Sequence, residues 1–178
     1  MSPRTRATLD DLYRVPENDK AELVNGEIVL MLPTGGIPGR SGGRIYISLD
    51  EYERRTGRGY AFPDNVGFVV DLPRRGSFSP DAAFHPGPLQ GGRFLNGAPV
   101  FAAEVRSETD YGEKAEQEMA EKRADYFAAG TLVVWDVDVL RERAVRVHRA
   151  DDPDRPTIYR STGQACLAAR SGVGGFRR

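Results

Sequence analysis

At 178 residues, with a formal net charge of -1, 39% hydrophobic and 29% charged side chains, the chain has the length and balance of one domain with a sizeable core. The near-neutral charge argues against a protein that coats nucleic acid by global attraction, and the single cysteine, Cys166, excludes an internal disulfide and a cysteine-rich zinc site. No apolar run approaches the roughly 18 residues of a membrane span and no signal-like apolar region opens the chain, so a cytoplasmic location without membrane contact is expected.

Thr8 is placed to cap a short helix, with Asp10 and Asp11 in its first turn, Leu9, Leu12 and Tyr13 turned inward, and Pro16 near its end. Asn25-Gly26 is a hairpin signal, and Glu27 to Leu32 follows as a strand. From about Gly42 to Thr56, Ile45, Leu49 and Tyr52 keep helical spacing. Arg40, Arg44, Arg54, Arg55 and Arg58 crowd this segment and read either as a solvated helix face or as a phosphate-contacting surface. Arginine dominates the cations: of 25 cationic residues only Lys20, Lys114 and Lys122 are lysines. Val66, Phe68 and Val70 then alternate as a strand.

Phe78 to Phe84 is a short apolar run carrying one acid, Asp81, entered through Pro80, a residue that fits only a sheet edge or a strand start. Arg74-Arg75-Gly76, in the hairpin leading into it, is placed to touch a phosphate backbone. After the glycine-rich connection from Gly87 to Gly97, Pro99 to Arg106 reads as a buried strand that ends where Ser107 to Asp110 begin a polar loop. Side chains alternate across a strand, so Ala102, Glu104 and Arg106 share one face and Phe101, Ala103 and Val105 the other. A carboxylate in so apolar a strand is expensive to bury unless it is paired or bound to a cation. Two partners stay open at this point: Arg106, in a structural ion pair, or a metal shared with Asp81. Two hard oxygen ligands on neighbouring strands suit Mg²⁺ or Mn²⁺, which makes them parts of a divalent-metal phosphodiesterase site.

Glu113 to Ala129 has a helical pattern with Ala115, Met119, Lys122 and Tyr126 on one stripe. Lys122 on that apolar stripe either snorkels past the core or points at a buried acid. Leu132 to Val137 reads as a buried strand, Arg141-Glu142-Arg143 as a turn, and Val145 to His148 as a further strand. Asp136 and Asp138, after Trp135, are assigned turn chemistry, and His85 and His148 are too isolated for nucleophilic or zinc chemistry. The tail from Gln164 to Arg178 has little pattern and is expected to be peripheral, giving a single domain over 1–178 with its core at about 8–160.

Glu22 to Met31, Pro33-Thr34-Gly35, Pro80 to Phe84, Glu104 to Ser107, Lys122 to Tyr126, Gly130 and Trp135 to Asp138 together resemble the bacterial putative restriction endonuclease family of the PD-(D/E)XK nuclease superfamily. The resemblance runs in order from about Leu9 to about Tyr159. It implies an α/β (α+β), restriction-endonuclease-like core: a mixed sheet flanked by helices, cutting nucleic-acid phosphodiesters with a divalent metal. In that pattern Asp81, Glu104 and the main-chain carbonyl of Val105 would hold Mg²⁺ or Mn²⁺, and Glu22 would bind a water on the metal or a second ion. Two departures stand out. Arg106 replaces the lysine expected two residues after Glu104, and no histidine follows the Pro-Thr-Gly turn, where Gly36 to Ser41 stand instead. Family members whose lysine has moved onto the later helix, four residues before a tyrosine, make Lys122 the candidate catalytic lysine, with Arg106 available to stabilise transition-state charge. Members also continue into a further apolar segment near the tail, and its absence here leaves the final strand and any homodimer contact open.

Two functions follow as expectations. The first is a metal-dependent deoxyribonuclease acting through Glu22, Asp81, Glu104, Lys122 and Arg106; the second is a catalytically degenerate nuclease fold serving as a nucleic-acid-binding or protein-interaction module.

Overall fold

The computed structural model describes residues 6–16, 19–89 and 91–160; Cys166 and the tail assigned a peripheral place lie outside the described residues. The chain opens with α1 (Leu9–Leu12), closed by a capping box in which the Thr8 hydroxyl and the Asp11 carboxylate satisfy each other's backbone. Leu12 is buried there, but Tyr13 is exposed and lies against Phe94, because the helix ends before that position can turn inward.

The hairpin of β1 (Lys20–Val24) and β2 (Glu27–Met31) turns on Asn25 and Gly26, both with positive φ, as the sequence pair requires. α2 (Gly36–Thr56) starts six residues earlier than its apolar spacing indicates. Its first turns are glycine-rich and carry no apolar stripe for periodicity to detect. It ends on Gly57, whose left-handed conformation lets its N–H reach the Glu53 carbonyl at 2.7 Å.

The run from Phe78 to Phe84 is not one strand. β5 (Ser77–Phe78) belongs to a small sheet with β4 (Phe68–Val69) and β7 (Leu95–Asn96), while β6 (Ala82–His85) enters the main sheet. Pro80 cannot donate to either ladder, so the chain changes sheet there. β7 also gives structure to the end of the segment read as a glycine-rich connection.

The main sheet has six strands in the order β11-β10-β9-β8-β6-β3, with β3 at Tyr60–Phe62, β8 at Phe101–Val105, β9 at Val133–Asp138, β10 at Ala144–Arg149 and β11 at Asp152–Arg160. Only the β8–β9 pair is parallel, the expected result of the crossover through α3 (Glu113–Ala128). β11 carries Pro153 and Pro156, which obscured it in the sequence and which only an edge strand tolerates. One face of this sheet packs Phe84, Phe101, Trp135 and Val137 against Ile45, Leu49 and Tyr52 of α2. The other packs Ala83, Ala102 and Val134 against Tyr126 of α3 and against Phe68 and Phe78 of the small sheet. Strand alternation therefore sends Phe101, Ala103 and Val105 to α2 and leaves Glu104 beneath α3.

Candidate active site

β8 delivers Glu104 to the buried face, and α3 delivers two partners from one stripe. Lys122 Nζ lies 2.9 Å from Glu104 Oε2, and the Tyr126 hydroxyl donates to Glu104 Oε1 at 2.6 Å. Their spacing of four residues puts both on one helix face. Tyr126 is completely buried, stacked 3.9 Å from Phe78, so its hydroxyl needs a partner within the protein, and Glu104 provides it.

β1 brings Glu22 to the same lysine: Lys122 Nζ lies 2.9 Å from Glu22 Oε1. Glu22 also accepts from Arg75 at 2.7 Å and from the Ser79 N–H at 2.8 Å. Arg75 is itself buried and braced by Asp125 of α3 at 2.9 Å, so it is not exposed to a nucleic-acid backbone as its sequence position suggests. The close approach of β1 to this segment depends on Gly76, where a Cβ would meet Leu23 at 2.6 Å.

Asp81 sits at the bend between the sheets. Its Oδ2 accepts the Val105 N–H at 2.7 Å, which ties it to the end of β8, and its Oδ1 lies 2.7 Å from Lys20 Nζ. Lys20 also reaches Asp64 at 2.7 Å. Over Asp81 passes α2 at Gly42, where a Cβ would stand 3.5 Å from the Asp81 Cβ. A cleft lined by Thr34, Gly39, Gly43, Asp64, Asp81 and Val105 opens beside it.

The two glutamates that share Lys122 are pushed apart. Burial works against ionisation of Glu22, but Lys122 and then Arg75 hold its carboxyl below the ordinary value. Burial pushes the Glu104 carboxyl up; Lys122 opposes the rise while Asp81 and Glu22 add to it. Among the described residues Glu104 has Lys20 as a second cation only at longer range, and no backbone donor like the one Ser79 gives Glu22.

Arg106 goes elsewhere. It shares the face of Glu104 but makes two parallel bonds of 2.7 Å to Asp136 and further contacts to Glu116. The structure thus groups Glu22, Glu104 and Lys122, sets Asp81 beside them through the Val105 N–H, and leaves Arg106 in a separate network. Asp136 is correspondingly a buried strand residue rather than a turn residue. Asp138 does serve a turn, accepting from the N–H groups of Leu140 and Arg141. His85 and His148 are buried, the former bonded to the Gly87 N–H and the latter facing the Pro153 carbonyl.

Lys20, Asp64, Arg75 and Tyr126 were not assigned to the site from sequence. One signal was available for Lys20: in a chain that uses arginine almost everywhere, two of the three lysines stand on these carboxylates.

The crystal structure of a putative nuclease from Anabaena variabilis superposes with a TM-score of 0.67 at 18% identity, covering 89% of this chain and 86% of that one, which shows the restriction-endonuclease-like fold. No curated protein matches the chain. The model of the putative restriction endonuclease family matches residues 7–168, and the chain belongs to that family.

Proposed function

We propose that the chain is a metal-dependent nuclease that hydrolyses DNA phosphodiester bonds through Glu22, Asp81, Glu104 and Lys122. Family membership implies a nucleic-acid substrate, and restriction-endonuclease-like nucleases generally use divalent metals. The observation that carries the reading is the Lys122 ammonium, 2.9 Å from both Glu22 and Glu104, which supplies from α3 the lysine missing from the strand.

The donor set fits a hard cation. Asp81 and Glu104 offer carboxylate oxygens, and the Val105 carbonyl is a third oxygen at the same strand end. Among the described residues no group of three or more acidic, histidine or cysteine side chains is gathered closely enough to hold a metal ion. Mg²⁺ tolerates so open a set because it keeps several of its waters. When bound, the metal would neutralise phosphate charge and acidify a water. Two of the three Lys122 N–H donors go to Glu22 and Glu104, which fixes the direction of the third; that donor orients the attacking water. Glu22 holds the lysine in place, anchored by Arg75 and Ser79, and Tyr126 fixes the rotation of Glu104.

Purified protein incubated with plasmid DNA and Mg²⁺ or Mn²⁺ should nick or linearise it, and Glu104→Gln should not. Equal cleavage by both proteins would overturn the assignment. One observation favours the degenerate-module reading: Arg106, at the usual lysine spacing, is engaged by Asp136 and Glu116. DNA binding without cleavage under every divalent metal would select it.

A further inference from the structure

We propose that Lys20 is a built-in counter-ion of the metal site, standing where a divalent cation takes hold of Asp81 and retiring onto Asp64 when that cation binds. The inference rests on the reading of Asp81 as a metal ligand and names a residue which that reading does not use.

Each Asp81 oxygen has a partner. Oδ2 is taken by the Val105 N–H, a main-chain bond that holds the carboxylate against the end of β8. Oδ1 is taken by Lys20 Nζ at 2.7 Å. Oδ1, which makes no main-chain bond, is the oxygen a cation can take with least disturbance of the tie to β8, and there it meets the ammonium. Both side chains are mostly buried, 15% exposed for Lys20 and 20% for Asp81, so little water screens the repulsion between the ammonium and an incoming cation. Two positive charges on one oxygen repel, and the ammonium, on a long flexible stem, is the one that can move.

The structure gives it a place to go. Asp64 lies in the turn between β3 and β4, outside both ladders, 2.7 Å from the same Nζ and about half exposed. It also keeps its own bond from the Asn65 N–H. α2 covers Asp81 at Gly42, and the cleft that opens beside Asp81 is bordered by Asp64. Lys122 differs on each count. It projects from the middle of α3 between Glu22 and Glu104, and Glu22 is fixed by Arg75 and Ser79. Of the two lysines, Lys20 is the displaceable one.

The consequence is reciprocal. Lys20 keeps the carboxylates neutralised in the metal-free protein and lowers metal affinity by the same coupling with which metal weakens its hold on Asp81. Calorimetric titration of Mn²⁺ into the wild type, Lys20→Met and Asp64→Asn tests this without reference to cleavage. Lys20→Met should bind Mn²⁺ at least about fivefold tighter, the low end of ordinary coupling between sites. Asp64→Asn should bind it at least about fivefold weaker, because the released ammonium loses its second carboxylate. Binding by Lys20→Met with none by the wild type would also support the inference. If the wild type binds Mn²⁺ and Lys20→Met binds it no tighter, the counter-ion role is overturned while the metal site stands. If none of the three binds, both the role and the metal reading fail. Should Lys20→Met unfold without metal, Asp64→Asn decides: affinity equal to the wild type overturns the role.

Discussion

Two charged clusters lie beneath α3 on the same face of the main sheet, and neighbouring residues of one strand end feed them: Glu104 enters one and Arg106 the other. In the first, Lys122 is shared between Glu22 and Glu104, whose carboxyls are displaced in opposite directions. In the second, the Arg106 guanidinium clasps Asp136 in two parallel bonds, and its bond to Glu116 holds that carboxyl below its ordinary value. The first has a compact ammonium with a third donor beyond its two carboxylates and an acid held uneasily in its ionised form; pairs of acids pushed apart in this way are what acid–base chemistry uses. The second is closed, because a bidentate arginine is rigid and stays charged. Burial of charge alone therefore does not distinguish the two clusters; they differ in whether the cation has a donor left over from its carboxylate partners.

The two clusters should differ most at Arg106. Arg106→Ala leaves Asp136 buried without its main cation and should lower unfolding free energy by about 3–5 kcal/mol in denaturant titration. Little loss would mean that the second cluster is not structural. Lys122→Ala should lower DNA cleavage by ~10²-fold or more, the effect of a lost catalytic group, with Mn²⁺ binding largely retained. Arg106→Lys should retain cleavage; dead Arg106 variants alongside an active Lys122→Ala would exchange the roles of the two clusters. Smaller again is Tyr126→Phe, which removes one bond to a charged acceptor and should lower stability by about 1.5–3 kcal/mol at most while keeping the stack on Phe78.

The smallest effect concerns the histidines, which neither cluster uses. Burial pushes both His85 and His148 below their ordinary value of 6.5. A base depressed in the folded state takes up protons more readily when unfolded, so its contribution is present above about 6.5 and is lost as the pH falls below it. Denaturant titration at pH 5.5 and 7.5 should show this decline, and a double substitution of both histidines by glutamine should flatten it.

Much of the fold was legible where a single pattern covered a whole element. The alternation of Phe101 to Val105 and the stripe of Ala115, Met119, Lys122 and Tyr126 locate β8, α3 and the face on which Glu104 meets Lys122. What stayed hidden was long-range or broke a local rule. The glycines of early α2 carry no periodicity, and prolines disguise β11 and divide Phe78 from Ala82. Lys20 meets Asp81, and Arg75 meets Glu22, across more than fifty residues, contacts that no local spacing predicts. Arg106 is the instructive case: strand alternation places it beside Glu104, yet parallel pairing with β9 sets Asp136 opposite Glu104, and the guanidinium reaches across to it.

The most direct test of the proposed metal binding at Glu104 is the melting temperature of wild type and Glu104→Gln with and without Mn²⁺. Binding to the folded state alone should stabilise the wild type by about 2.7 kcal/mol at a Mn²⁺ concentration a hundred times Kd, seen as a rise in Tm. Glu104→Gln, which still folds because Lys122 keeps Glu22, should show no rise. An equal rise in both proteins, or none in the wild type, would contradict a metal held by Glu104.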